Sequence, residues 1–146
     1  MEERDLGREL RNVMGRFPTG VTVVAGINEL GQPFGLTVNS FTSVSLDPPL
    51  VLVCIDNGAA SHDPLMSAPH FTINVLGVPQ APLADRFASN PSDGRFDNVA
   101  WHGSTSGAPL IDGACAWLEC ARHEVYDGGD HSILYSHKCE YKVGTA

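Results

Sequence analysis

The sequence predicts a mainly β chain with peripheral helices, folded as a small antiparallel barrel. Three observations predict it. Apolar or β-branched runs recur at residues 21–27, 35–45, 50–56, 70–76 and 114–126. Turn residues separate them, at 28–33, 47–49 and 127–130, in a chain with 15 glycines and 10 prolines; many short strands need this punctuation. No repeat, low-complexity tract or linker breaks the pattern, so residues 1–146 read as one domain, long enough for a core.

The elements follow in order. Leu6, Leu10, Val13, Met14 and Phe17 fall at i, i+4, i+7, i+8 and i+11, ahead of Pro18-Thr19-Gly20. That spacing makes one apolar helix face, expected to pack over an open sheet edge. A strand at 21–27 and the turn at 28–33 predict a hairpin with the next run. That run, Gly35 to Ser45, is crowded with hydroxyls and an amide where a core strand would alternate apolar residues. It suits a flat, polar-edged ligand lying along a strand. After Asp47-Pro48-Pro49, the run Leu50 to Asp56 reads as a buried strand. A short helix is expected over 61–68 with Ser61 as its N-cap, then a strand at 70–76. A second helix follows over 80–88, with Leu83, Ala84, Phe87 and Ala88 on one side. Residues 90–113 read as surface loop with one short strand. The strand at 114–126 then turns into a partner at 131–135.

Composition narrows the function. Hydrophobic residues make up 42% and charged residues 18%, with net charge −8 and pI near 5.0. Without a basic stripe, nucleic acid and anionic membrane are not expected partners. The charged start lacks the apolar segment of a signal peptide, and no apolar run approaches the ~20 residues of a spanning helix. Four cysteines without a C-x-x-C pair read as reduced thiols. Together these predict a cytoplasmic protein.

Motif absences narrow it further. The sequence has no G-x-G-x-x-G after a strand, no Walker phosphate loop and no H-E-x-x-H. Ser61-His62-Asp63 resembles a hydrolytic triad in print, but neighbouring side chains are expected to diverge. Ser61 and His62 read better as helix-start groups that could seat a phosphate. No metal site is expected: Cys120 and His123, three apart on a strand, face opposite ways, and Cys115 and Cys120 also diverge. Cys54, inside an apolar run, reads as a buried thiol. Arg86 is open to two readings, a solvated side chain beside core Phe87 or a guanidinium clamp for an anion. His131 follows a glycine-rich turn, where a lone histidine is more often simply exposed.

Six ordered blocks give these residues a context. They are residues 17–24 (FPTGVTVV), 35–45 (GLTVNSFTSVS), 47–54 (DPPLVLVC), 71–76 (FTINVL), 83–88 (LADRFA) and 129–133 (GDHSI). Over residues 10 to 134 the chain closely resembles the short-chain NAD(P)H:flavin oxidoreductases, the reductase components of two-component flavin monooxygenases. The resemblance implies a split antiparallel β-barrel of the FMN-binding type that works as a homodimer. FMN or FAD would be its flavin, NADH or NADPH its hydride donor, and an oxygenase or halogenase its partner.

On that resemblance, Thr37, Val38, Asn39 and Ser40 meet the polar edge of the isoalloxazine, and Cys54, Ile55 and Asp56 flank the ribityl chain. Ser61, His62 and Arg86 hold the phosphate, Phe87 and Ala88 pack alongside, and His131 orients the nicotinamide. Hydride transfer between two stacked rings needs no protein acid or base, which accounts for the missing catalytic dyad. The chain departs from the family after Ile133. There the family strand continues into a further turn, whereas Ile133 here runs almost straight into Leu134 to Tyr141. Either the chain is naturally shortened there or a disordered stretch is absent from the sequence; a true deletion would remove part of a barrel strand, on the nicotinamide side. Two other readings use the same barrel: an oxidoreductase that retains its flavin, and a non-catalytic flavin-binding scaffold.

Overall fold

The computed structural model describes residues 4–89 and 91–144, without the side chains of residues 123, 138, 139 and 142. Among the described residues, nine strands and three α-helices follow in the order α1 (Leu6–Met14), β1 (Thr22–Ile27), β2 (Pro33–Val38), β3 (Thr42–Leu46), β4 (Pro49–Asp56), α2 (His62–Ser67), β5 (His70–Val75), α3 (Ala81–Ala88), β6 (Trp101–Gly103), β7 (Pro109–Ile111), β8 (Ala116–Gly128) and β9 (His131–Val143). Seven strands form one antiparallel sheet in the order β2-β1-β5-β8-β9-β4-β3.

The two edges of that sheet, β2 and β3, are consecutive in the chain. The polar run expected as one strand is therefore bent at residues 39–41. Its first half pairs with β1 (Val23↔Thr37) and its second with β4 (Thr42↔Leu52). One bent segment thus joins both edges and rolls the sheet into a barrel split at the bend, which limits the exposed edge. The expected hairpin of β1 with this run is present in its β2 half.

Period-2 alternation sorts the side chains into two layers. Val24, Leu36, Val38, Val53, Ile55, Phe71, Ile73, Cys120 and Leu134 fill the barrel, and α2 adds Leu65 to them. The neighbours of Val24, Val23 and Ala25, point outward and pack with Phe87 of α3 and Ile111 of β7. β1 is consequently buried on both faces. Gly35 shows how tight this layer is: a Cβ there would lie 3.1 Å from the Val24 carbonyl oxygen and 3.3 Å from both Phe87 and Phe96. Buried Asn74 fixes the second layer to the first. Its Nδ2 donates to the Val23 carbonyl (3.0 Å), and its Oδ1 accepts from Ile111 N–H (2.8 Å).

Several expectations change. α1 forms as its spacing predicts and is capped by Asp5, which accepts from Arg8 N–H at 3.0 Å. It covers no sheet edge, though; none of its residues is buried, and Leu6, Leu10, Val13, Met14 and Phe17 stay 55–67% exposed. Residues 90–113 hold two short strands, β6 and β7, paired as a hairpin; three-residue strands are too short for periodicity to reveal. β9 was expected to stop at Tyr135. It runs on to Val143 and pairs with β8 throughout, the ladder absorbing shifts at Glu119/Cys120 and Arg122/Glu124. The strand side of the barrel is thus continuous past Ile133.

Candidate functional site

The bend is where the ladders leave backbone unclaimed. Residues 39–41 belong to neither strand, and Ser40 substitutes for the missing ladder. Continuing the Thr42↔Leu52 register sets residue 40 opposite residue 54, where the Ser40 hydroxyl donates to the Cys54 carbonyl (2.9 Å) and accepts from Cys54 N–H (3.1 Å). A side chain thereby makes both bonds of a backbone pair. A groove of about 970 Å³ opens beside it, lined by Met14, Phe17, Thr22, Asn39, Phe41 and Thr42 among others. That volume lies at the upper end of the usual range for small-molecule sites, about 300–1,000 Å³. Among the predicted residues, Asn39 and Ser40 reach it. Phe17, Phe41 and Thr42, each within a block that carries the resemblance, line the groove without having been expected there.

Not every predicted hydroxyl faces the groove. Thr37 Oγ1 donates to the Ala84 carbonyl at 2.6 Å, tying β2 to α3. Val38 is buried in the barrel, and Asn39 is exposed. Cys54 is half-buried where a buried thiol was expected; Val53 and Ile55 face the barrel interior, so alternation turns Cys54 to the other side.

The end of β4 meets the β8–β9 hairpin tip. Ile55 pairs with Ser132, and exposed Asp56 pairs with His131. The tip is a two-residue turn with Gly129 at φ +79°, a conformation that glycine adopts without a Cβ penalty. His131 is 40% exposed, and its Nδ1 lies 2.7 Å from Asp130 Oδ1. The hydrogen bond to His131 comes first, and its charge second, in holding the Asp130 carboxyl below its ordinary 3.8.

Ser61 is the N-cap residue of α2 as expected, but its side chain makes no capping hydrogen bond. Its hydroxyl donates instead to the Gly35 carbonyl at 3.3 Å. His62 and Asp63, expected to diverge, do meet, with Nδ1 to Oδ1 at 2.8 Å. Ser61 points away from them, so the contiguous triad is absent. A different serine reaches the ring: Ser132 Oγ lies 2.8 Å from His62 Nε2. The Ser132 hydroxyl gives its single proton to Asn57 Oδ1 (2.7 Å), which makes it a structural link and not a nucleophile.

Arg86 is neither solvated nor free. Its Nε donates to the Arg95 carbonyl (2.7 Å), and its Nη2 to the Gly94 (2.9 Å) and Asp97 (2.6 Å) carbonyls. The guanidinium thus organises the loop after α3. Phe87 is fully buried in the outer layer beneath β2, and Ala88 is exposed beyond it; neither lines the groove. The sequence could not reveal this, since loop carbonyls leave no residue signature.

Arg95 is the guanidinium facing a second cavity, of about 480 Å³, together with Gly35, Ser61, Asp93 and Asp97. Its Nη1 donates to the Gly35 carbonyl (2.8 Å) and its Nη2 to the Ser89 carbonyl (2.7 Å). Its Nε is enclosed without a partner among the described residues, and burial lowers its pKa. Among the described residues no group of three or more His, Cys, Asp or Glu could hold a metal. Cys115 is exposed and Cys120 buried, as divergence required, whereas the side chains of His123 and Cys139 lie outside the described residues. Among the described residues, no helix is long and apolar enough to cross a membrane.

Comparison with known proteins places the fold in a family. An NADH-dependent FAD reductase of Streptomyces globisporus is 52% identical over 130 residues, covering 86% of this chain and 70% of that protein. The reductase subunit of a stachydrine N-demethylase from Rhizobium meliloti is 42% identical over 135 residues, 92% of this chain and 58% of that one. This chain thus spans well under two thirds of the second relative's length. Among solved structures, an NADH:FAD oxidoreductase of Streptomyces globisporus in complex with NAD and FAD fragments superposes with a TM-score of 0.88 at 46% identity, covering 98% of this chain and 87% of that one. The match to the flavin reductase like domain spans residues 14–146, and the chain belongs to that family.

Proposed function

We propose that the chain is an NAD(P)H-dependent flavin reductase, a single cytoplasmic domain that supplies reduced FMN or FAD to a partner oxygenase or halogenase. One observation carries the reading. The bent polar segment opens a groove of suitable volume at residues 39–42, tied through Ser40 and Cys54 to the strand that ends beside His131. The exposed Asn39 amide and the unladdered backbone of the bend supply polar groups for a flat ring with one polar edge. Phe17, Phe41 and Met14 supply apolar wall. These residues fit a flavin.

The bound flavin would supply the two-electron acceptor chemistry. Asn39 and the bend backbone would hold its polar edge, and Asp56 would flank its chain. Ser61 and His62 would seat the phosphate, with Arg95 as the guanidinium on the Ser61 cavity where Arg86 is committed elsewhere. His131, at the tip beyond Asp56, would orient the nicotinamide. Aligning the two rings and excluding water are the chain's tasks, since hydride transfer between cofactors needs no side-chain proton. The relatives named as a reductase and as a reductase subunit support this reading.

The apolar face of α1, exposed along its whole length, is the surface a second copy would cover in a homodimer. The reductase reading is tested by mixing the protein with NADH or NADPH and excess FMN or FAD. Catalytic loss of the reduced-nicotinamide absorbance is expected, and a rate no higher than buffer refutes it.

A further inference from the structure

The hairpin tip that carries His131 has almost nothing apolar to hold it. Residues 127–130 are exposed, and Tyr126 below them is 51% exposed. The β4–β9 ladder ends at Asp56↔His131. The tip is nonetheless held, by hydrogen bonds that converge on one residue beyond β4. Asn57 N–H donates to the Asp130 carbonyl (3.0 Å), and Asn57 Nδ2 donates to the Gly129 carbonyl (3.3 Å). Asn57 Oδ1 accepts from Ser132 (2.7 Å), and the Ser132 oxygen lies 2.8 Å from His62 Nε2.

We propose that Asn57, Ser132 and His62 form a latch that positions the His131 tip against the turn leading into α2. Asn57 and Ser132 are positioning residues, acting on the nicotinamide through His131. The inference rests on the flavin reductase reading. Its physical basis is the population of the competent tip. If a ligand binds only when the tip is docked, its apparent affinity falls in proportion to the docked fraction. Each hydrogen bond in such a contact is a modest stabiliser, and no buried packing compensates for its loss.

The test compares wild type with Ser132→Ala, Ser132→Thr, Asn57→Ala and the Asn57→Ala/Ser132→Ala double variant. kcat and KM for NADH are measured at saturating FMN, the FMN Kd by fluorescence quenching, and the thermal midpoint as a check on folding. KM for NADH is expected to rise about fivefold in Ser132→Ala and about tenfold in Asn57→Ala, the latter equal to about 1.4 kcal/mol. kcat and the FMN Kd stay within about twofold. Ser132→Thr, which keeps the hydroxyl, stays near wild type. The double variant matches Asn57→Ala, because the residues serve one latch. Wild type that turns over no NADH removes the reductase reading and this inference together. An active wild type whose variants keep their KM, or whose FMN Kd weakens as much as KM rises, overturns the latch and leaves the reductase reading standing.

Discussion

Replacing Ser40 by alanine tests the closure of the barrel at its split. The hydroxyl makes two bonds to one backbone residue, at 2.9 Å to the Cys54 carbonyl and 3.1 Å from Cys54 N–H. Alanine removes both and leaves the Cys54 peptide groups without their cross-segment partner. At about 1 kcal/mol net per hydrogen bond, the loss is about 2 kcal/mol. For a chain of this size each kcal/mol lowers the thermal midpoint by about 4 °C, so a fall of about 8 °C is expected. Ser43→Ala, at an exposed β3 position in the same bent segment, is the control and should lie within about 0.5 kcal/mol of wild type. Calorimetry and urea unfolding read both variants. The Ser40 variant should also bind FMN more weakly, since the groove wall at residues 39–42 loses its tie to β4. A midpoint within about 2 °C of wild type would refute the claim that this hydroxyl stands in for a ladder pair.

Three further outcomes follow from the same geometry. Phe87→Ala, at a fully buried position in the outer layer, should cost about 3–5 kcal/mol in urea unfolding; a cost under ~1 kcal/mol would mean that α3 does not anchor there. The Asp130 carboxyl, read by NMR titration, should titrate below 3.8, and His131→Ala should move it back up. A depressed carboxyl contributes above its ordinary pKa and loses that contribution as pH falls through the lower value, so acidification should weaken the Asp130–His131 contact only below pH 3.8; an unshifted Asp130 contradicts it. Val13→Asp, on the exposed face of α1, should abolish the proposed homodimer in sedimentation without destabilising the monomer by more than ~0.5 kcal/mol; a profile unchanged from wild type removes α1 from the proposed interface.

Strand existence and the family were legible in the sequence because both rest on local patterns. Apolar or β-branched runs between turn residues marked β1, β4 and β5, and helical spacing of apolar residues marked α1. What covers α1 is not a local property, and the expectation that it seals a sheet edge failed for that reason. Residue type identified Thr37, Ser40, Ser61 and Arg86 as hydrogen-bonding groups, but it could not say to what. Thr37 spends its hydroxyl on the Ala84 carbonyl, Ser61 on that of Gly35, and Arg86 on a loop. Each acceptor is a backbone carbonyl, which every residue carries and no sequence pattern marks.

The amino-acid order by itself determined that this chain folds as turn-rich β structure, where its helices start, and which family it joins. Tertiary structure alone decided that one polar segment bends to serve both edges of the sheet, and that Asn57 and Ser132, 75 residues apart, hold the His131 tip. The physical reason is range. Backbone preference and hydrophobic period act over a few residues, whereas the partner of a hydroxyl or an amide is fixed only once distant strands have been brought into register.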